Sequence, residues 1–237
     1  MRLPCIILLN VNEIGILLLI LEIHKINLMK FDQDFKDAIA RLPSKEKDKL
    51  LLRLLKKDIS LVNQLHFQLV ETRSVEDLRN GVEQEIEQNL RGRSHRFYSP
   101  GVLMMYLRDV SGIINEHVSA TKDKYGDPYL NCIMLTKALN NNRAQLIQCS
   151  KNEAFKFNTY VVARIFKILT QVKGLHEDLQ FDFQELFENL VNEMIQIPTL
   201  MQATIYHGLD MNWLNYREIP EDIVAIQKEL RQRGYLK

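Results

Sequence analysis

The 237 residues carry 31 lysines and arginines against 30 aspartates and glutamates, a formal net charge of +1. A chain so balanced has no global field to draw in nucleic acid or an anionic membrane, and any such affinity must come from a local patch. Apolar residues at 46% and charged residues at 26% exclude a disordered chain, and the length is enough to bury a core. Three cysteines (Cys5, Cys132, Cys149), far apart and with no C-x-x-C pair, argue against a disulfide framework and a zinc site. They are expected as free thiols in a reducing cytoplasm.

Residues 1–28 do not match the rest. Ile and Leu supply fifteen of them, and only Arg2, Glu13, Glu22 and Lys25 bear fixed charge. Asn10, Asn12 and Glu13 interrupt the apolar run, and no small-residue cleavage site follows, which disfavours a signal peptide. As a spanning helix the segment would place Glu13 mid-membrane at a cost of about 2.5–3.5 kcal/mol or more. At Met29 the composition changes to that of a soluble helix. The segment therefore reads as an apolar extension: a mis-set start with translation beginning at Met29, a membrane-associated stretch, or a soluble helix. Residues 29–237 read as a single helical domain.

From residue 32 onward helix signals follow one another. Phe35, Ala38, Ile39 and Leu42 lie on one helical face that Pro43 ends, and Ser44 is placed to cap the next helix. That helix, residues 45–58, is leucine-rich and basic: Lys49, Arg53, Lys56 and Lys57 lie opposite Leu51, Leu54 and Leu55. Its basic face suits a membrane surface or phosphates, although a charged outer face is also the ordinary state of a surface helix. The apolar pattern continues through residues 59–70, as the same helix or after a bend. Ser74 and Asp77 have the form of a capping box, opening a helix acidic at first and basic at Arg91, Arg93 and Arg96.

Ser99-Pro100 is a cap followed by proline at the first helical position. The long helix behind it is expected to be the central element and to stop at Lys124, Tyr125 and Gly126, with Gly126 as a left-handed stop and Asp127-Pro128 opening the next helix. Ser150 and Glu153 form a second box, starting a helix whose Val161, Ile165, Ile168 and Val172 repeat at helical spacing up to Gly174. Asp182 and Glu185 suggest a third box, Pro198 a break or kink, and Pro220 the start of a last helix ending at Gly234. There is no alternating strand set, no hairpin turn and no internal repeat. The expected fold is all-α: an antiparallel helical bundle or short irregular α-solenoid of about seven to nine helices.

Two constellations carry candidate chemistry. Arg91, Arg93, His95, Arg96, Phe97 and Tyr98 combine phosphate-contacting guanidiniums with rings that stack on unpaired bases, or that meet an acidic partner. The competing structural reading has the arginines neutralise a helix end while Phe97 and Tyr98 pack into the core. On the long helix, Arg108, Asp109, Glu116 and His117 are the polar candidates for an unrecognised enzyme. Asp109, Glu116 and Asp123 recur every seven residues along one stripe, spaced by ~10 Å, too far apart to hold one metal ion. His117, at the edge of the stripe of Leu103, Leu107, Val110 and Ile114, is expected to make a satisfied hydrogen bond. Trp213 is expected to pack into the core or cap the last helices.

No Glu-x-x-His or His-x-x-x-His pair, phosphate loop, dinucleotide fingerprint or G-x-S-x-G elbow is present. An all-helical nucleotide pyrophosphohydrolase would need E-x-x-E followed downstream by E-x-x-D. Glu185 and Glu188 supply the first half only.

The segments LPSKEKDKLLLRLLKKD (42–58) and RFYSPGVLMMYLRDVSGIINEHVSATKDKYGD (96–127) resemble those of all-helical bacterial proteins of no assigned activity. The resemblance covers about a fifth of the chain. It implies a bacterial cytoplasmic setting and a start near Met29, and it brings no catalytic residues.

The expectation that follows is a non-enzymatic helical module with a protein partner. Anion or single-stranded nucleic-acid binding through residues 91–98 is the first alternative, and a divergent enzyme the second. Arg91, Arg93, Arg96, Tyr98, Arg108 and His117 are the expected binding residues. No cofactor and no metal are expected, and a membrane enters only if residues 1–28 are retained.

Overall fold

The structure, a computed structural model, describes residues 31–94 and 97–237, and for Arg93 and Ser94 the helical backbone only. The apolar extension at 1–28 and the expected start at Met29 lie outside these residues, as do His95 and Arg96. The described residues are all-helical, with no strand. Ten helices of nine residues or more and one five-residue helix exceed the seven to nine expected. The excess arises because residues 45–70 and 182–206 each break into more pieces than the hydrophobic period shows.

The described residues up to Asp58, 31–58, belong to one compact unit. In it α1 (Gln33–Arg41) is capped by Asp32, whose side chain accepts from the Phe35 amide at 2.6 Å. The second helix, α2 (Ser44–Leu55), begins at Ser44 itself, so Pro43 rather than Ser44 holds the cap position and no side chain caps it. Neither helix buries a residue. Phe35, Ile39, Leu51, Leu52 and Leu54 are all exposed.

Residues Ile59–Lys237 form the second unit. It comprises α3 (Ile59–Leu69), α4 (Val75–Ser94), α5 (Pro100–Thr121), α6 (Gly126–Gln148), α7 (Lys151–Lys173), α8 (Glu177–Phe181), α9 (Phe183–Met194), α10 (Pro198–Tyr206) and α11 (Ile223–Gln232), with two 3-10 turns before α11. The capping boxes at Ser74 and Ser150 form as the spacing predicts: Ser74 Oγ accepts from the Asp77 amide at 3.0 Å, and Ser150 and Glu153 bond reciprocally. Ser99 caps α5, accepting from the Val102 amide at 3.2 Å, with Pro100 at the first helical position. The expected box at Asp182 does not form. Asp182 already has helical angles (φ −61°, ψ −19°), so its side chain is not presented to the Glu185 amide. Pro198 starts α10 rather than kinking a longer helix.

The core is built by α5, α6 and α7, each packed on the other two. The stripe of α5 is Leu103, Leu107, Val110, Ile114 and His117, a single helical face. On α7 the expected Val161, Ile165, Ile168 and Val172 are fully buried, joined by Phe157, Val162, Phe166 and Leu169, which widen the apolar surface well beyond one stripe. Each such side chain contributes roughly 1.5–3 kcal/mol by leaving water. With seven buried residues against twelve for α6 and eleven for α7, α5 is not the buried centre; α6 and α7 are. Trp213 is half-buried against this core, its ring edge-on to Phe166 at 6.1 Å.

Candidate functional site

The end of α5 differs from expectation, and the difference builds the site. The helix stops at Thr121, three residues early, because Lys122 takes the left-handed conformation (φ 59°) that the sequence reading assigned to Gly126. The chain turns there, and Asp123 leaves the helix instead of continuing the stripe of Asp109 and Glu116. Its carboxylate folds back under His117, 3.1 Å from Nε2. It also accepts from Arg79 of α4, with Nε at 2.7 Å from Oδ2 and Nη2 at 3.2 Å from Oδ1, and from the Gly126 amide at 2.8 Å.

Gly126 thus opens α6 rather than closing α5. A Cβ at this position would sit 2.1 Å from Asp123 Oδ2, so only glycine lets the carboxylate cap the helix this closely. Arg79 also lies over the Tyr125 ring, 4.7 Å from its centroid. Tyr125 stacks on Tyr129, whose hydroxyl donates to Glu83 at 2.8 Å.

Burial pushes the Asp123 carboxyl up. The hydrogen bonds from His117, Arg79 and the Gly126 amide, together with the Arg79 charge, outweigh burial and hold it at about 2. Burial and the bond to Glu83 push the Tyr129 hydroxyl up to about 12. An ionised carboxylate only accepts, so Nε2 of His117 donates to it. Among the described residues Nδ1 has no partner, while His117 lines an adjacent cleft of 310 Å³.

Helices α3, α4 and α5 wall this cleft. Phe67, Leu78, Val82, Ile113 and Ala120 supply apolar surface, and Glu71, Glu85 and Glu116 stand among them. Glu71 is engaged with Arg73, Nη2 donating to Oε2 at 2.7 Å. Among the described residues Glu85 and Glu116 pair with no cation, and both are exposed. No group of three His, Cys, Asp or Glu side chains among the described residues is arranged to hold a metal ion.

The other expected site residues do not converge here. Arg91 reaches one turn back to Glu87 on its own helix at 2.7 Å and stays largely exposed. Tyr98 is 73% exposed and Phe97 half-buried against the core, so of the two rings expected to pack, one does and one does not. The Arg93 side chain and Arg96 lie outside the described residues. Arg108 projects toward α7, its guanidinium 6.0 Å from the Tyr160 ring centroid, on the other side of α5 from the cleft. The four polar candidates of the long helix therefore split: Glu116 and His117 share a cleft, and Arg108 and Asp109 do not line it.

Arg79, Glu71, Glu85 and the role of Asp123 were missed. The one local signal was the spacing Asp-x-x-Gly at 123–126, an acidic cap before a helix start. The contact with Arg79 spans 44 residues and has no local signature.

No family model, curated protein or solved structure matches the chain at a significant level. Among the described residues no helix is long and apolar enough to cross a membrane.

Proposed function

We propose that this chain is a non-enzymatic helical interaction module, and that the α3–α4–α5 cleft takes an apolar anchor flanked by lysines or arginines from another protein. The observation that carries this is the pairing of an apolar wall with two unneutralised carboxylates, Glu85 and Glu116, around a recess of 310 Å³. That is room for about ten waters, or for one large side chain. A recess of this size suits a single buried anchor with a charged rim that sets orientation. Glu85 and Glu116 supply the rim, and His117 is fixed from behind by Asp123 and Arg79, so the wall is preorganised.

The reading takes the scaffold as an antiparallel bundle rather than a solenoid. Helix α7 packs on α5, α6, α10 and α11 together, whereas a solenoid element touches only its neighbours.

Fluorescence anisotropy of a labelled amphipathic leucine–lysine helix, titrated with the full chain, tests the proposal. The basic peptide is expected to bind, its leucine–glutamate counterpart at least tenfold more weakly, and the E85K/E116K variant to lose the basic peptide. Equal binding of both peptides, or binding unchanged in E85K/E116K, overturns it.

A further inference from the structure

Helix α2 turns leucines to one side and cations to the other. Leu50, Leu51, Leu54 and Leu55 recur at steps of three and four residues and share a face, with Leu52 at its edge. A surface helix ordinarily lays such a face against a core. No residue of α2 is buried, and Leu51, Leu52 and Leu54 are each more than half exposed.

Lys45, Lys49, Arg53 and Lys56 follow at the same steps on the opposite face, and Lys57 adjoins them in the turn. All five are exposed, and among the described residues none pairs with a carboxylate. From Lys45 to Asp58 six lysines and arginines stand against Glu46, Asp48 and Asp58. The sixth, Lys47, falls within the leucine face by its spacing. Its Nζ donates to the Ala40 carbonyl of α1 at 2.8 Å, so it ties the two helices together instead of standing among the leucines.

The shape and the charge together select an occupant. A protein anchor needs a recess such as the α3–α4–α5 cleft provides. A convex helix face that buries nothing fits a surface that deforms around it. The boundary between headgroups and acyl chains does so, taking an apolar helix face about 5–10 Å deep while the cations stay in the headgroup layer. The positive excess selects anionic lipid, because each Lys or Arg within a Debye length of the surface adds attraction. A second copy of the chain would instead bring the same positive excess against itself. Beside α2, Phe31 stacks on Phe35 of α1 at 5.3 Å, both rings exposed, which adds apolar surface of the kind found on interfacial helices. Asp32, Asp34 and Asp37 outnumber Lys36 and Arg41 there, so the charge selection lies with α2.

We infer that α2 docks on an anionic lipid bilayer, lying along its surface with Leu50, Leu51, Leu54 and Leu55 against the acyl chains and Lys45, Lys49, Arg53, Lys56 and Lys57 among the headgroups. The contact is interfacial rather than spanning. It is independent of the α3–α4–α5 cleft, and neither proposal rests on the other.

Flotation of the full chain with vesicles tests it, comparing an equimolar mixture of phosphatidylcholine and phosphatidylglycerol with phosphatidylcholine alone. The chain is expected to bind the anionic vesicles about tenfold or more tightly than the neutral ones, and to weaken in high salt. L51Q/L54Q and K49E/R53E are each expected to lower that binding about tenfold or more. All four positions are exposed, and circular dichroism reports the fold. K49E/R53E leaves the leucines in place and keeps the test decisive if the leucine variant loses structure. Residues 1–28 are unchanged in both variants, so binding carried by that stretch alone survives both and overturns the inference. Equal binding to the two vesicles, or none to either, overturns it as well. A dimer in sedimentation velocity that L51Q/L54Q dissolves assigns the face to a second copy and overturns it too.

Discussion

The two ends of α4 hold arginines in opposite circumstances. Near its finish, Arg91 pairs with Glu87 four residues back on the same helix and remains mostly in water. Near its start, Arg79 reaches to Asp123, just past the end of α5, which is only 4% exposed and also bonded to His117 and the Gly126 amide. A pair in water competes with solvent and counterions and contributes little, whereas a buried carboxylate whose oxygens all have donors fixes the geometry of three helices. The arginine-rich stretch stands out in the sequence, yet the organised electrostatics lie at the end that the sequence marks with a single aspartate and glycine.

The comparison breaks most clearly at Asp123. D123A leaves Arg79 and His117 without their acceptor and is expected to destabilise the chain by about 3–5 kcal/mol in urea unfolding. Replacing both partners with apolar side chains, as in R79M/D123L, is expected to recover a large part of that loss, since no charge is then left stranded. If the double variant is as unstable as D123A, the pair is not the source of the effect.

Acid sharpens the same contrast. The Asp123 carboxyl is held at about 2 in the fold against an ordinary 3.8. Its contribution is therefore present in full above about pH 4 and is lost as the pH falls toward 2, a change of roughly 2 kcal/mol. His207 acts in a separate, higher window. Burial lowers its affinity for a proton below the ordinary value of 6.5, so stability falls as the pH drops below that value. Its Nδ1 accepts from the Leu236 amide at 3.3 Å, and protonation removes that acceptor. Urea midpoints measured from pH 8 to pH 2 should show both declines, with the lower one absent in D123N.

Smaller effects belong to the finish of α4 and the cap of α5. S99A removes the cap on the Val102 amide and is expected to cost about 1 kcal/mol. R91A is expected to lie within about 0.5 kcal/mol of the parent, because surface pairs of this kind are nearly neutral. A loss from R91A comparable to that from D123A would erase the distinction between the two ends.

Much of the local structure was legible because it depends on neighbours in sequence. The caps at Ser74, Ser99 and Ser150 join a side chain to an amide three residues on, and the stripe Val161, Ile165, Ile168 and Val172 follows helical period. Errors arose where a local signal had two solutions. Gly126 fitted a left-handed stop as well as a close-packed helix start, and Lys122 took the left-handed turn instead. Asp182 had the spacing of a cap but lies in a continuing helical turn.

The sequence by itself determined an all-helical chain, most of its helix starts and the apolar faces of α5 and α7, since caps and periodicity are short-range and repeat along the chain. Only the tertiary structure decided that His117 meets Asp123 and Arg79, and that Glu85 and Glu116 flank an apolar recess. Those groupings bring together residues tens of positions apart, and which faces come together is fixed by the packing of α5, α6 and α7 around the fully buried side chains of α7.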